Sequence, residues 1–211
     1  MLAKQSRNPR PRILFCSLVC LRLEARTSQE RVFGRDRYAR SFGLPKGIGL
    51  RVTGGIIDST DFLDDNAYSN DEYTQFMNEA LVNGPQSFPP SYDVGGALEL
   101  DIGSWSARGV VMSIGENDDG NSFTFWGTQL GYRAEMPWGV GNYRVLVVGS
   151  SDDFPDPGGM REERRFAVGL SFDQPLGETF GAWLRLGWPD DRAVVTYDSI
   201  YSGGLNSRGA A

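Results

Sequence analysis

Residues 165–188 constrain the fold more than any other part of the chain. Phe166, Val168, Leu170 and Phe172 alternate with Arg165, Ala167, Gly169, Ser171 and Asp173, and a turn follows at Pro175 to Glu178. Phe180, Ala182, Leu184, Leu186 and Trp188 then alternate with Gly181, Trp183, Arg185 and Gly187. A period of two with one apolar face marks strands whose two sides meet different surroundings. The pattern recurs upstream. Ile48, Leu50, Val52 and Ile56 oppose Arg51 and Thr53, and Val94, Leu98 and Leu100 oppose Glu99 and Asp101. Trp126, Leu130, Tyr132 and Ala134 oppose Gln129, Arg133 and Glu135, while Tyr143, Val145 and Val147 oppose Arg144. Residues 105–114 alternate less cleanly, with Arg108 set against Ala107, Gly109 and Val111. These segments predict an all-β chain of about seven or eight antiparallel strands.

The connections supply the second constraint. Short reversals at 102–104, 136–139 and 175–178 alternate with long connections at 58–91, 115–122, 150–162 and 189–193. Aromatics also gather toward both ends of the apolar face. Short turns on one side, long loops on the other and aromatic girdles predict a transmembrane β-barrel of outer-membrane porin type, its long loops outside the cell. A soluble sandwich alternates too, but its apolar face meets a second sheet. That reading, a lectin-like carbohydrate-binding protein without transport activity, differs from the barrel in not needing detergent.

Composition enters as a filter. The chain of 211 residues suits one domain. Its mean hydropathy of -0.35 offers no apolar run of about 18 residues for a membrane helix, but barrel strands face lipid only at every second residue. Residues 1–46 hold 11 Lys or Arg against 3 acids, leaving 10 against 24 beyond, so the body carries 10 minus 24, or -14. Such acidity argues against nucleic acid as a partner, whose phosphates need a basic patch. Every base after Lys46 is Arg. Planar guanidinium forks suit hydroxyl pairs, although genomic bias toward Arg produces the same count.

Residues 1–46 form a basic segment apart from the body at 47–211. Cys16 and Cys20 lie in an apolar stretch behind a basic leader. A degenerate export signal, a genuine N-terminal segment and sequence upstream of the true start are the three readings. The body has no cysteine, in keeping with passage through an oxidising periplasm without a disulfide, although a cytosolic protein shares this feature.

Alternation assigns Arg51, Glu99, Arg108, Arg133, Glu135, Arg144, Arg165, Asp173, Trp183 and Arg185 to the lumen side, as a substrate pathway. Guanidinium forks and carboxylates bind sugar hydroxyls, and Trp183 offers a plate for the apolar face of a sugar. The structural alternative is that these charges pair across a wet lumen and hold its shape. In the loop at 58–91, Asp61, Asn66, Asn70, Gln75 and Asn78 are candidate constriction residues. A helix expected over Asp71 to Leu81 either narrows the pore or lets Phe76 and Leu81 plug the loop against the wall. Asp61, Asp64, Asn66 and Asn70 lack the glycine and terminal Glu of an EF-hand, and no metal or cofactor is assigned. The acidic clusters at 116–119 and 152–153 read as solvated loops. An enzyme is not expected: His is absent from the chain, and a carboxylate pair such as Asp61 and Asp64 on a loop is a poor scaffold for glycoside hydrolysis.

One stretch is more specific than alternation. IIDSTDFLDDNAYSNDEYTQFMNEALVN at 56–83, with its Asp-Ser-Thr-Asp-Phe and Gln-Phe-Met-Asn patches, resembles the carbohydrate-selective porin family of the OprB type. FAVGLSFDQPLGETFGAWLRLGW and YSGGL are similar to the same family, so the likeness runs from Gly47 to Gly204. The resemblance implies a monomeric barrel of about sixteen strands in the outer membrane of a Gram-negative bacterium, passing mono- or disaccharides such as glucose by diffusion. The strands counted here are roughly half that wall. The chain ends on Gly209-Ala210-Ala211 instead of a strand with a terminal aromatic, so the expectation is a partial barrel truncated at its C-terminus.

Overall fold

The structure, a computed structural model, describes residues 21–25, 47–71, 74–76, 78, 81–82, 84, 88–90, 92–115, 122–151, 154–196 and 198–207. Its strands are β1 (Leu21–Ala25), β2 (Ile48–Ile57), β3 (Asp93–Ile102), β4 (Trp105–Ile114), β5 (Phe123–Met136), β6 (Gly139–Ser150), β7 (Phe154–Pro155), β8 (Glu162–Glu163), β9 (Phe166–Leu176), β10 (Phe180–Pro189) and β11 (Ile200–Ser207). Eight of these, with the five-residue β1 as a ninth, make one sheet in the order β1-β2-β3-β4-β5-β6-β9-β10-β11. Every pairing is antiparallel. The short β7 and β8 pair only with each other, within the connection from β6 to β9. The described sheet is open, with β1 and β11 at its edges.

Chain reversal explains the order. Gly103 and Gly177 adopt φ of 58° and 75°, a left-handed backbone that favours glycine, in the turns from β3 to β4 and from β9 to β10. Each long connection then leaves from the opposite, loop end of the sheet. Two expectations need adjustment, and one falls outside the described residues. The sheet gains β1 from inside the basic segment 1–46, paired with β2 from Leu21 opposite Gly54 to Ala25 opposite Leu50. The last long loop does not stop at 193 but runs to the start of β11 at Ile200. Residues 116–119 and 152–153 lie outside the described set.

The helix expected over 71–81 falls partly outside the described residues. Within them, Thr74 and Gln75 form a turn, and Asp71 O accepts the amides of Gln75 and Phe76 at 3.0 and 3.1 Å.

The register puts Arg51, Glu99, Arg108, Gln129 and Leu146 on one face of the sheet, with Gly169 beside them. This face is the covered one. Toward the loop end it is apolar: Ile57, Ala97, Val110, Met112, Ile114, Phe125, Leu146, Val148 and Ala167 form a buried cluster with Leu63 of the 58–91 loop. Phe62 and Phe88 of that loop, and Phe123, pack against it. Toward the turn end the same face becomes charged.

Candidate functional site

The 58–91 loop lies as a strap across the covered face. Asp58 caps a short 3-10 turn at Ser59–Asp61, its Oδ1 accepting the Thr60 amide at 2.8 Å. The chain then bends at Asp64, which has φ of 60°. Asp tolerates this left-handed conformation better than most residues. Two adjacent carboxylates thereby reach different strands: Asp64 meets Arg185 of β10, and Asp65 meets Arg108 of β4 and Arg144 of β6.

Both contacts are ionic. Arg185 Nε lies 2.7 Å from Asp64 Oδ2, with both side chains almost wholly buried. Arg185 also donates to Ser69 Oγ at 2.9 Å, Ser69 O at 2.7 Å and Leu81 O at 3.2 Å. Ser69 Oγ in turn donates to Leu81 O, which closes a small buried network. Burial pushes the Asp64 carboxyl above the ordinary aspartate range, opposed first by Arg185 and then by a hydrogen bond from Ser171.

Asp65 sits in a longer chain of alternating charge. Arg51 pairs with Glu99 at 2.9 Å, Glu99 approaches Arg108 at 3.8 Å, Arg108 meets Asp65 at 2.8 Å, and Asp65 meets Arg144 at 2.7 Å. Arg144 ends the chain on Asp173, which also accepts from Asn142 Nδ2 at 2.7 Å. Opposite charges in partly dry surroundings attract more strongly than in water, and each guanidinium has enough donors to serve two acids. The chain links β2, β3, β4, the loop, β6 and β9.

Neutral contacts complete the strap. Gln129 Oε1 accepts the Asp64 amide at 2.7 Å, and Asn66 Nδ2 donates to Ser171 Oγ at 3.2 Å and Phe172 O at 3.1 Å. Two wall glycines act as sockets. The Tyr68 ring occupies the space a side chain at Gly181 would need, and Leu63 Cδ1 does the same at Gly127.

All ten residues expected on the lumen side share the covered face, but their positions differ. Arg51, Glu99, Arg108, Arg144 and Asp173 form the ionic chain, and Arg185 anchors the strap. Arg133 and Glu135 are exposed at the turn end of β5. Arg165 lies at the loop end, where its guanidinium stands 3.8 Å over the Phe154 ring and Nε donates to Val194 O at 3.0 Å. Trp183 is buried and packs on Phe76, with ring centroids 5.6 Å apart. Its face is therefore spent on the loop, as in the plugging alternative, and is not an open plate for a sugar.

The expected constriction residues divide similarly. Asn66 binds the wall, whereas Gln75 holds the loop together by accepting the amides of Asn70 and Asp71 and donating to Ala67 O at 3.0 Å. Asn70 keeps a buried, unpartnered Oδ1. Asn78 is exposed and accepts the Leu81 amide at 2.9 Å. Asp61 has its carboxyl raised by partial burial and by neighbouring Asp58. Of the four groups considered for a cation, Asp64 and Asn66 are committed to the wall; among the described residues no cluster of three metal-ligating side chains occurs.

Sequence reasoning overlooked Asp65, Ser69, Tyr68 and the socket glycines. The doubled acid Asp64-Asp65, and small residues recurring on the otherwise charged face of β5 and β10, were the available signals.

The chain matches no family profile, and no solved structure matches it. An uncharacterized protein of Aquifex aeolicus (strain VF5) is 39% identical over 182 residues, covering 86% of this chain and 52% of that protein. The chain spans about half the length of this relative.

Proposed function

We propose that this sheet is one side of an outer-membrane β-barrel wall that passes carbohydrates by facilitated diffusion, with the 58–91 loop as its constriction. One observation carries the reading: toward the turn end the sheet buries charged groups on its covered face, while its bare face is apolar along its length. Arg185 and Asp173 are 0% and 1% exposed, whereas Val111 and Leu98 on the opposite face are 56% and 50% exposed. A water-soluble sheet has the reverse polarity, because bare aliphatic surface is costly in water. Hydrocarbon removes that cost.

Aromatics on the bare face support the same reading. Trp105 and Tyr132, Tyr143 and Phe172 pair toward the turn end, while Trp126 and Phe166, Trp188 and Tyr201 pair toward the loop end. Along β10, Phe180 and Trp188 are eight residues apart and place an aromatic near each end of the strand, as interfacial girdles require. The lectin-like sandwich lacks comparable support: among the described residues, no second sheet covers the bare face. The resemblance implies a wall of about sixteen strands, and the longer Aquifex relative is in keeping with that size.

In this reading the partners are outer-membrane lipid and mono- or disaccharides, no cofactor takes part, and no bond is made or broken. Polar groups that exchange weakly with hydroxyls let a sugar enter and leave. Liposome swelling with the refolded protein tests it. Glucose is expected to enter faster than an uncharged non-sugar of similar size, and equal entry would remove carbohydrate selectivity.

The lipid face has its own test. Val145→Arg and Leu184→Arg place a cation in the middle of the bare face and are each expected to weaken folding into lipid vesicles by about 2–4 kcal/mol. Asp191→Arg, in the connection from β10 to β11, is expected to fold normally. Unimpaired folding of both wall variants would refute a lipid-facing sheet.

A further inference from the structure

A cleft of about 320 Å³ opens on the covered face near the turn end, lined in part by Asp65, Asp101, Arg108, Arg133, Asn142 and Arg144. That volume lies at the lower end of small-molecule sites and fits one monosaccharide-sized solute. Most of the lining is already committed. Arg108 and Arg144 share Asp65, and Asn142 is held by Asp173. Arg133 and Asp101 are different: neither side chain has an ion pair, and neither has a hydrogen bond from its carboxylate or guanidinium to another described residue. Their backbones are tied into the sheet, and Arg133 N donates to Ser104 O at 2.8 Å.

The register explains the open floor. Asp101 of β3 pairs with Ser106 of β4, which pairs with Gly131 of β5, which pairs with Arg144 of β6. The Ser106 hydroxyl leans into the space a side chain at Gly131 would take. Only a hydroxyl and a hydrogen thus separate Asp101 from the arginines. Asp101 and Arg133 stand two strands apart and two residues out of line, about 12 Å between backbones, and their side chains can hold the two ends of one sugar ring.

We infer that this cleft is a subsite for a polyhydroxylated monocarboxylate of monosaccharide size, such as a uronate or an aldonate. The inference rests on the porin reading and narrows its substrate class. The Arg133 fork offers paired donors to a planar carboxylate. Asp101 accepts from hydroxyls at the far end and repels a second negative charge, which disfavours dianions. A neutral sugar leaves the Arg133 charge to water and gains less.

Saturation-transfer NMR titrations of the refolded full chain in detergent micelles, with glucuronate, glucose and acetate as probes, test the subsite without needing conduction. Glucuronate is expected to bind at least about tenfold more tightly than glucose or acetate, the value of one charge-assisted hydrogen bond. Arg133→Gln, at an exposed position, is expected to bring glucuronate to the level of glucose. Gly131→Leu, which fills the floor, is expected to weaken all sugar binding. Equal binding of glucuronate and glucose, a preference that survives Arg133→Gln, or no binding at all would overturn the inference. Swelling measured in parallel keeps the two readings apart. Absent swelling with every solute counts against the pore, whereas swelling without a glucuronate preference in binding counts against the subsite alone.

Discussion

Arg185→Leu is expected to release the 58–91 loop from the wall while leaving the sheet assembled. The leucine fills similar volume in β10, so strand pairing with β9 and β11 has no reason to fail. The loop loses its deepest anchor: Asp64 is left with a buried charge, Ser69 O loses its donor, and Leu81 O keeps only the Ser69 hydroxyl. Breaking a buried pair by removing one partner costs about 3–5 kcal/mol, enough to raise the released population more than about a hundredfold. Limited chymotrypsin digestion reads this directly, since Tyr68 is buried in the docked loop and becomes a cleavage site once released.

The same variant carries a pH signature. Burial already raises the Asp64 carboxyl, and loss of Arg185 removes the largest opposing influence, so it rises further. A carboxyl with a raised pKa in the docked state stabilises docking below the ordinary aspartate range, near about 4, and loses that contribution as pH rises through the raised value. Protection of Tyr68 in Arg185→Leu is therefore expected at acidic pH and lost toward neutrality. Equal resistance of variant and wild type at neutral pH would show that Arg185 does not anchor the loop.

Gly181→Val is expected to eject the same loop by steric force. Its Cβ falls within the Tyr68 ring, and the ring, packed between loop and wall, has little room to yield. Valine suits the extended backbone of β10, so the strand persists and the loop gives way. Overpacking of this kind costs about 1–3 kcal/mol. In the proposed pore, single-channel conductance is expected to rise as the strap leaves the covered face, with faster chymotrypsin cleavage. Pairing Gly181→Val with Tyr68→Gly vacates the socket and is expected to bring conductance back toward the wild-type value. Gly109→Val is a control, because a Cβ at Gly109 meets nothing within 4 Å. Wild-type conductance and protection in Gly181→Val would show that the Tyr68 socket does not hold the loop.

Much of the wall was legible in the sequence because strands signal by period. The alternation at 166–188 located β9 and β10 and assigned their faces, and the ten charged and aromatic residues expected on one side do share it. Where the signal failed, a second surface was burying the polar side. Val145, Leu146, Val147 and Val148 run without alternation because the outer pair faces the bare side while Leu146 and Val148 meet the loop-covered cluster. The uneven stretch at 105–114 has the same cause, with Val110, Met112 and Ile114 under the strap. Trp183, read as an open plate, is covered by Phe76 because the loop returns to β10 from more than a hundred residues earlier.

Sequence alone determined the local terms of this protein: an antiparallel all-β chain, short turns against long loops, and one apolar and one charged face. Each depends on residues near one another in the chain, through the pleat and the turn. Tertiary structure decided how the charges are spent. Asp64 meets Arg185 and Asp65 meets Arg108 and Arg144 across separations that no local pattern encodes, so which arginines are neutralised became visible only when the loop was laid on the wall. Arg133 and Asp101 stand apart for the same reason: the strap does not reach the turn end of the sheet, and two charged side chains are left facing a cleft.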